Sequence, residues 1–452
     1  MKFLILDPYT NDNWRLVKDT AGGYGTGNDF GNSLFSKAIN VFVSKMISMP
    51  PMYSIYIFSI LKDRGCEVDY SRNVNKVNLN DYDYIIMTSS IICHETEIKV
   101  LKKITDSGNK VFVTGIFANT LKSKYNSKYS YVVPGESEFF FLKLELKKSY
   151  IDRYFDEKKN LSNSSHGLVE NLDDLPFPDW GYYLKKYNLQ NNFLGFNSKP
   201  AIPIVATRGC PYSCFNYCTY PLQQGRKVRY RSVKNVVAEI KHWIKNANTN
   251  KFVFRDPVFS INRKYTVDLC NEIIKENLKI EYLVETHLKN LDDELILLLQ
   301  KSGLKMVYIG IESSNSEVLK DIKRFTVDQD DQFTTIKKLV ESGIYVKSMF
   351  MFGNPEDTEE TIKKTIQYSI ELPNQLVQYS VFTPYPGTPI FNIYENNIIE
   401  HNMEKYNQYN LVFKHKNLDN KKINKLKNYG YRQFYFRLKK IPLIIKSALS
   451  LI

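Results

Sequence analysis

At 452 residues and 43% apolar content, the chain is long enough for two or three domains with real cores. Six cysteines over that length make no disulfide framework, and three of them share one loop, which points to a reducing, cytoplasmic setting. The formal charge is +14, but residues 401–452 alone hold 12 Lys/Arg against only Glu404 and Asp419, and no zinc-finger spacing or RNP-type motif accompanies it, so no nucleic-acid partner is expected.

The N-terminal stretch MKFLILDPYTND lacks a basic leader region, and no apolar run approaches the ~20 residues of a membrane span, so neither a signal peptide nor a span is expected. Lys2–Leu6 reads as a short apolar strand ended by Pro8. Residues 21–32 form a glycine-rich loop whose Gly25-Thr26-Gly27 is a weak phosphate signal, since no strand–helix unit frames it. Pro50 and Pro51 precede a helical pattern, Ser54–Lys62, closed by Gly65. Strand Tyr84–Thr88, helix Glu95–Thr105, strand Lys110–Thr114 with Gly115 after it, and strand Tyr131–Val133 follow in turn. This alternation predicts a doubly wound parallel sheet, whose ligands bind beyond the C-terminal strand ends. His94 reads as an ordinary surface or capping histidine. Residues 151–195 are polar and mixed and read as an ordered linker.

Three cysteines, Cys210, Cys214 and Cys218, lie within nine residues of the stretch VATRGCPYSCFNYCTYPLQQGRKVRYR at 205–231. The apolar run Ile202–Thr207 reads as a buried strand broken by Gly209 and Pro211, which places the thiols on a loop at its C-terminal end. No histidine is interleaved and no fourth cysteine is near, whereas a tetrahedral zinc site normally fills four positions from the protein. Three thiolates on one loop suit a four-iron cluster with one iron left open. Incidental buried cysteines are the plainer alternative. Against it stand the flanking Pro, Tyr, Ser, Asn and Arg residues.

Beyond residue 202 the pattern is regular. Strands Ile202–Thr207, Lys251–Arg255, Glu281–Thr286, Lys305–Ile311, Tyr345–Phe352 and Leu376–Phe382 alternate with helices Lys234–Lys245, Arg263–Glu276, Asp292–Lys301, Asp331–Ser342 and Glu359–Glu371. The repeat predicts a barrel-like sheet with its site at the C-terminal strand ends. Those ends carry the cysteines, Asp256-Pro257, Glu285-Thr286-His287, GIES at 310–313, GNPE at 353–356 and TPYPGT at 383–388. After 396 the chain is rich in Asn, Lys and Tyr. Gln433–Lys440 and Ile441–Ile452 then mix bulky apolar and basic residues. The commoner reading of that tail is a helix packed on the barrel, and the sharper one is contact with anionic lipid.

The cysteine loop, GIES, GNPED at 353–357, Arg324 in IKRF, and TPYPGTP at 383–389 together resemble the radical S-adenosylmethionine (SAM) superfamily. The family spaces its cysteines C-x3-C-x2-C with an aromatic residue before the third. Here the spacing is C-x3-C-x3-C, with Tyr217 in the aromatic place and one extra residue between Cys214 and Cys218. The resemblance implies an N-terminal Rossmann-like, cobalamin-binding-type domain at 1–145, a linker at 146–195, a partial (β/α)6 barrel at 196–395 and a basic helical extension at 396–452. It implies a [4Fe-4S] cluster on Cys210, Cys214 and Cys218, and SAM contacted by Tyr217, Glu312, Arg324, Gly353 and Glu356. Residues 1–145 are similar, more loosely, to the domain in front of the cobalamin-associated branch, through Pro50-Pro51, Gly115 and Gly-Glu-Ser-Glu at 135–138. The branch's D-x-H-x-x-G signature is absent, since Pro8 and Tyr9 follow Asp7. Cobalamin therefore stays open as a third cofactor.

The activity implied is cleavage of SAM to a 5′-deoxyadenosyl radical, used for methyl transfer or rearrangement on a small biosynthetic substrate, of lipid or secondary-metabolite type. A reductase such as a flavodoxin or ferredoxin is the implied partner. The alternatives are a degenerate, non-catalytic member that binds SAM or a partner, and a radical SAM enzyme whose N-terminal domain is only a substrate lid.

Overall fold

The computed structural model describes residues 1–10, 16–27, 51–156, 167–187, 191–193, 196–198 and 200–437. The N-terminal sheet is built from β1 (Lys2–Leu6), β2 (Glu67–Ser71), β3 (Tyr84–Thr88), β4 (Val111–Thr114) and β5 (Ser130–Val132), all parallel, in the order β2-β1-β3-β4-β5. Its central strands are buried on both faces, which is why they read as unbroken apolar runs. β2 escapes that pattern. It pairs with β1 on one side only, and its sequence EVDYS is half polar because an edge strand needs one buried end and no second apolar face. Helix α1 (Met52–Asp63), with Pro51 before it, packs on one face. Helix α2 (His94–Asp106) packs on the other.

The start of the stretch expected as an ordered linker forms helix α3 (Lys148–Asp156). It buries Ile151 and Phe155 against this sheet, with the Phe155 ring 5.0 Å from that of Phe112. Helix α4 (Trp180–Tyr187) buries Trp180 and Tyr183 in the core that joins both halves of the molecule.

The second sheet has six parallel strands: β6 (Ile202–Ile204), β7 (Lys251–Phe254), β8 (Glu281–Thr286), β9 (Leu304–Glu312), β10 (Tyr345–Phe352) and β11 (Leu376–Val381), side by side in chain order. Helices α5 (Val233–Asn246), α6 (Arg263–Lys275), α7 (Asp293–Ser302), α8 (Gln329–Glu341) and α9 (Glu359–Glu371) cover its outer face. Their starts are fixed by Ser232, Asn262, Asp292, Asp328 and Thr358, each accepting from a backbone N–H of the first turn. Along β8 and β11 fully buried and half-buried residues alternate strictly, the first set facing the helices and the second the lumen.

β11 is an edge strand. Its free N–H groups are met by helix α10 (Asn420–Tyr435) and the segment before it. Val377 donates to the Tyr435 hydroxyl at 3.2 Å, Tyr379 to the Tyr431 hydroxyl at 3.0 Å and Val381 to the Gln408 carbonyl at 2.7 Å. The chain up to residue 437 therefore closes the barrel edge. The rest of the basic amphipathic stretch, residues 438–452, lies outside the described residues. Among the described residues no helix is long and apolar enough to cross a membrane.

Candidate active site at the barrel mouth

The cysteine loop starts where β6 ends. Asp256, buried after β7, accepts from Ala206 N–H at 3.3 Å and from Thr207 N–H, tying down the bend that aims the chain at Cys210. Gly209 has φ +98, and a Cβ there would lie 2.2 Å from the Lys227 carbonyl oxygen, so only glycine fits. Residues Ser213–Asn216 make one 3-10 turn, and Cys218 N–H closes a wider turn onto the Cys214 carbonyl at 3.0 Å. The extra residue between Cys214 and Cys218 is thereby absorbed. Four positions apart on a helical turn, the two side chains share one side, and their thiols hydrogen bond to each other.

Cys210 and Cys214 are buried and Cys218 half-buried. Burial pushes the Cys210 thiol up to about 11. The Cys214 thiol is pulled down to about 6, first by the hydrogen bond from Cys218 and, against burial, by Arg324. Among the described residues no three His, Cys, Asp or Glu side chains gather about one point, as a mononuclear ion requires. A cluster takes each thiolate on a different iron, so the three need only share a rim, and the donor set fits it.

Glu312, Arg324 and Tyr217 meet this rim. Glu312 ends β9 at a register shift and has φ +69, a left-handed conformation unusual for glutamate, which turns its side chain inward. Arg324 donates to the Gly310 carbonyl at 2.7 Å, lies 3.9 Å from Glu312 Oε1 and 3.9 Å from Cys214 Sγ. Gly310 makes room for the pair, since a Cβ there would stand 2.7 Å from Glu312 Oε1. The Tyr217 phenol is held well above its usual range by burial and then by the Glu312 carboxylate.

Gly353 is buried at the end of β10 with φ +72, its Cα turned toward Leu411 and Ile423. Glu356 is not brought to the group. It is exposed and ion-paired with Lys416, while the adjacent Asp357 is the buried acid, accepting from Asn354 and Thr361.

Arg208 and Arg229 beside the loop bind the N-terminal domain. Arg208, wholly buried, meets Glu138 at 2.7 Å and Glu136 at 3.3 Å. Arg229 grips Glu136 with two bonds of 2.8 Å, and Arg231 pairs with Glu239. Burial works to raise the Glu136 carboxyl, but Arg208 and Arg229 outweigh it, and the net shift is downward.

Across this seam the N-terminal strand ends line a small cavity of about 30 Å³, with Thr88, Ser89, Thr114, Gly115 and Ser137 on one side and Gln223 on the other. The glycine-rich loop borders it for a steric reason. A Cβ on Gly22 would sit 2.5 Å from the Thr219 backbone, so the loop packs directly on the exit of the cysteine turn. Beyond β1, Lys18 is clamped between Asp7 at 3.0 Å and Glu97 at 2.9 Å. His94 is neither at the surface nor a helix cap by its side chain. It is buried, 2.9 Å from the Tyr125 hydroxyl, and burial lowers its pKa.

Residues 204–369 match the family model of the Radical SAM superfamily. They are a radical SAM domain. Over a longer span the chain is similar to an uncharacterised methyltransferase of Pyrococcus horikoshii, 27% identical over 388 residues, covering 82% of each protein. It is also similar to bacteriochlorophyllide d C-12(1)-methyltransferase of Chlorobaculum tepidum, 24% identical, covering 76% of this chain and 73% of that one. Among solved structures, the radical SAM methyltransferase TsrM of Kitasatospora setae, with cobalamin and a [4Fe-4S] cluster bound, matches with a TM-score of 0.60 at 15% identity. The match covers 100% of this chain and 91% of TsrM. The cobalamin-dependent enzyme OxsB matches with a TM-score of 0.67 at 12% identity, over 94% of this chain and 66% of OxsB. These structures share the fold: a radical SAM domain behind a Rossmann-type domain.

Proposed function

We propose that this protein is a cobalamin-dependent radical SAM enzyme that transfers a methyl group to a small-molecule substrate. Cys210, Cys214 and Cys218 would hold a [4Fe-4S] cluster, and Tyr217, Glu312, Arg324 and Gly353 would bind SAM beside it. The observation that carries this is the convergence of three thiols with the Glu312–Arg324 pair at one end of a six-stranded parallel sheet. When bound, the cluster supplies the electron that splits SAM, and cobalamin supplies a methyl carrier. The chain itself does three things. Arg324 offers a planar guanidinium for a carboxylate. Glu312 offers an acceptor for hydroxyls. The buried seam between the domains keeps water out.

The N-terminal strand ends offer four Ser and Thr hydroxyls and two close-approach glycines, which supply donors and acceptors for a corrinoid's amide-bearing rim. A Cβ on Gly115 would press on Ser89 at 2.8 Å, so that wall is already at contact distance. Among the described residues no histidine follows β1, Lys18 is locked by two carboxylates, and His94 is held at Tyr125. Cob(III)alamin added to the full chain is therefore expected to bind base-off without a protein nitrogen on cobalt. His94→Ala should leave the visible spectrum unchanged, and likewise the paramagnetic resonance spectrum recorded after one-electron reduction of the cobalt. Nitrogen hyperfine splitting lost in that variant would refute it.

The test of the whole reading is anaerobic reconstitution with iron, sulfide and SAM plus a one-electron donor of flavodoxin or ferredoxin type. Products are assayed with and without cobalamin. S-adenosylhomocysteine and 5′-deoxyadenosine are the expected products. Absence of both overturns the reading. 5′-Deoxyadenosine formed identically with and without cobalamin overturns its cobalamin part.

A further inference from the structure

One row of polar side chains in the barrel lumen is used by nothing above. Strand register pairs Glu285 on β8 with Tyr308 on β9, and Tyr308 with Lys347 on β10. The three therefore stand side by side on adjacent strands, with Glu285 and Lys347 about 10 Å apart at Cα. They face inward. Their strand neighbours Val284, Val307, Ile309 and Val346 are buried, and on the same outer face of β8 the Tyr282 hydroxyl meets Ser302 of α7 at 2.7 Å.

Among the described residues none of the three polar ends has a hydrogen bond or ion pair within bonding distance. Lys347 Nζ lies 4.4 Å from the centre of the Tyr308 ring. After burial, Glu285 feels Arg255 first, then the Glu312 carboxylate, and Lys347 only after these. Two cations thus flank one carboxylate, and the ammonium of Lys347 has the weaker share of it. An ammonium taken out of water without a partner is costly. Burial accordingly pushes Lys347 down to about 8 and Glu285 up to about 7. All three groups remain half-buried rather than sealed, so their free ends border open lumen.

We propose that Lys347 and Tyr308 bind a single carboxylate group of the substrate in the barrel lumen. The inference rests on the reading of that lumen as the reaction chamber and adds the substrate's chemical class. A carboxylate there would give Lys347 a partner and accept the Tyr308 O–H. Glu285, in the same row, repels further negative charge and so selects a monoanion over a phosphate dianion. Glu285 also lies within charge range of Glu312 and Arg324, which connects the row to the rim where SAM would sit.

The probe is hexanoate, titrated calorimetrically into the anaerobically reconstituted full chain, beside methyl hexanoate and inorganic phosphate. Wild type should bind hexanoate and prefer it to both. Lys347→Met should weaken hexanoate about 10- to 100-fold, as expected for loss of a charge-assisted bond, and Tyr308→Phe by about 3- to 10-fold. Lys347→Arg should restore most of the binding, which a merely structural role would not predict. Hexanoate bound no better than its ester or phosphate, or equal binding by wild type and Lys347→Met, overturns the proposal. Iron content and SAM cleavage on the same wild-type sample separate the two readings. A protein that cleaves SAM but ignores hexanoate loses only this inference. One that cleaves no SAM loses the reaction, and the titration is scored independently.

Discussion

Replacing Cys210, Cys214 and Cys218 together by Ala should abolish iron binding, taking the reconstituted protein from about four irons per chain to none. The argument is local. The three thiols are the only cysteines on the loop that Asp256, Gly209 and the Cys214–Cys218 turn hold in shape. The others are elsewhere in the fold. Cys66 precedes the edge strand β2, Cys93 lies after β3, and Cys270 sits in α6, 3.9 Å from the Tyr282 hydroxyl. Cys66→Ser, Cys93→Ser and Cys270→Ser should each retain the iron. The Ala variant should also lose SAM cleavage entirely, while its circular dichroism stays that of the wild type, because the backbone bonds of the loop do not involve sulfur. Iron analysis and the visible spectrum check this. Iron retained by the triple variant, or lost by Cys270→Ser, would refute the ligand assignment.

Periodicity alone located most of the scaffold. Glu281–Thr286, Tyr345–Phe352 and Glu359–Glu371 fall where the sequence pattern puts them, because each combines a long repeat with a clear stop. Glu67–Ser71 was hidden because its alternation is that of a half-exposed edge. At the site, the cysteine spacing and the acid of GIES were legible as motifs. The φ of +69 that turns Glu312 inward was not, since it comes from a register shift between β9 and β10. Glu356 looked equivalent to its neighbours by motif, yet the turn sends it outward to Lys416 and keeps Asp357 in. Lys18 joins Glu97 across 79 positions of unpatterned loop and helix, and the Glu285–Tyr308–Lys347 row exists only through strand register. Pairings of that kind leave no mark on either segment's own pattern.

The largest stability change should come from Arg208→Met. Its guanidinium is fully buried between Glu138 at 2.7 Å and Glu136 at 3.3 Å, and it lies 5.6 Å from the ring centres of Tyr53 and Tyr56. It joins the strand before Cys210 to the Gly-Glu-Ser-Glu turn of the N-terminal domain, 70 residues away. Truncation leaves Glu138 buried without its cation, a loss of about 3–5 kcal/mol, whereas Glu136 keeps both bonds from Arg229. Among the described residues Arg208 Nε and Nη1 make no hydrogen bond, so the arginine is held mainly by charge. Removing both charges should therefore cost far less than removing one. Arg208→Met/Glu138→Leu is expected to recover most of the lost stability, with a coupling energy of about 2 kcal/mol or more. The pH dependence has a fixed sign. Because Glu136 has its pKa lowered in the folded chain, its pairing stabilises above the ordinary glutamate range and is lost as pH falls through the lowered value. Urea unfolding of the four proteins of this cycle at neutral pH, followed by the same series in acid, measures both effects. A double variant as unstable as Arg208→Met would mean that the arginine acts by packing on Tyr53 and Tyr56 rather than by charge.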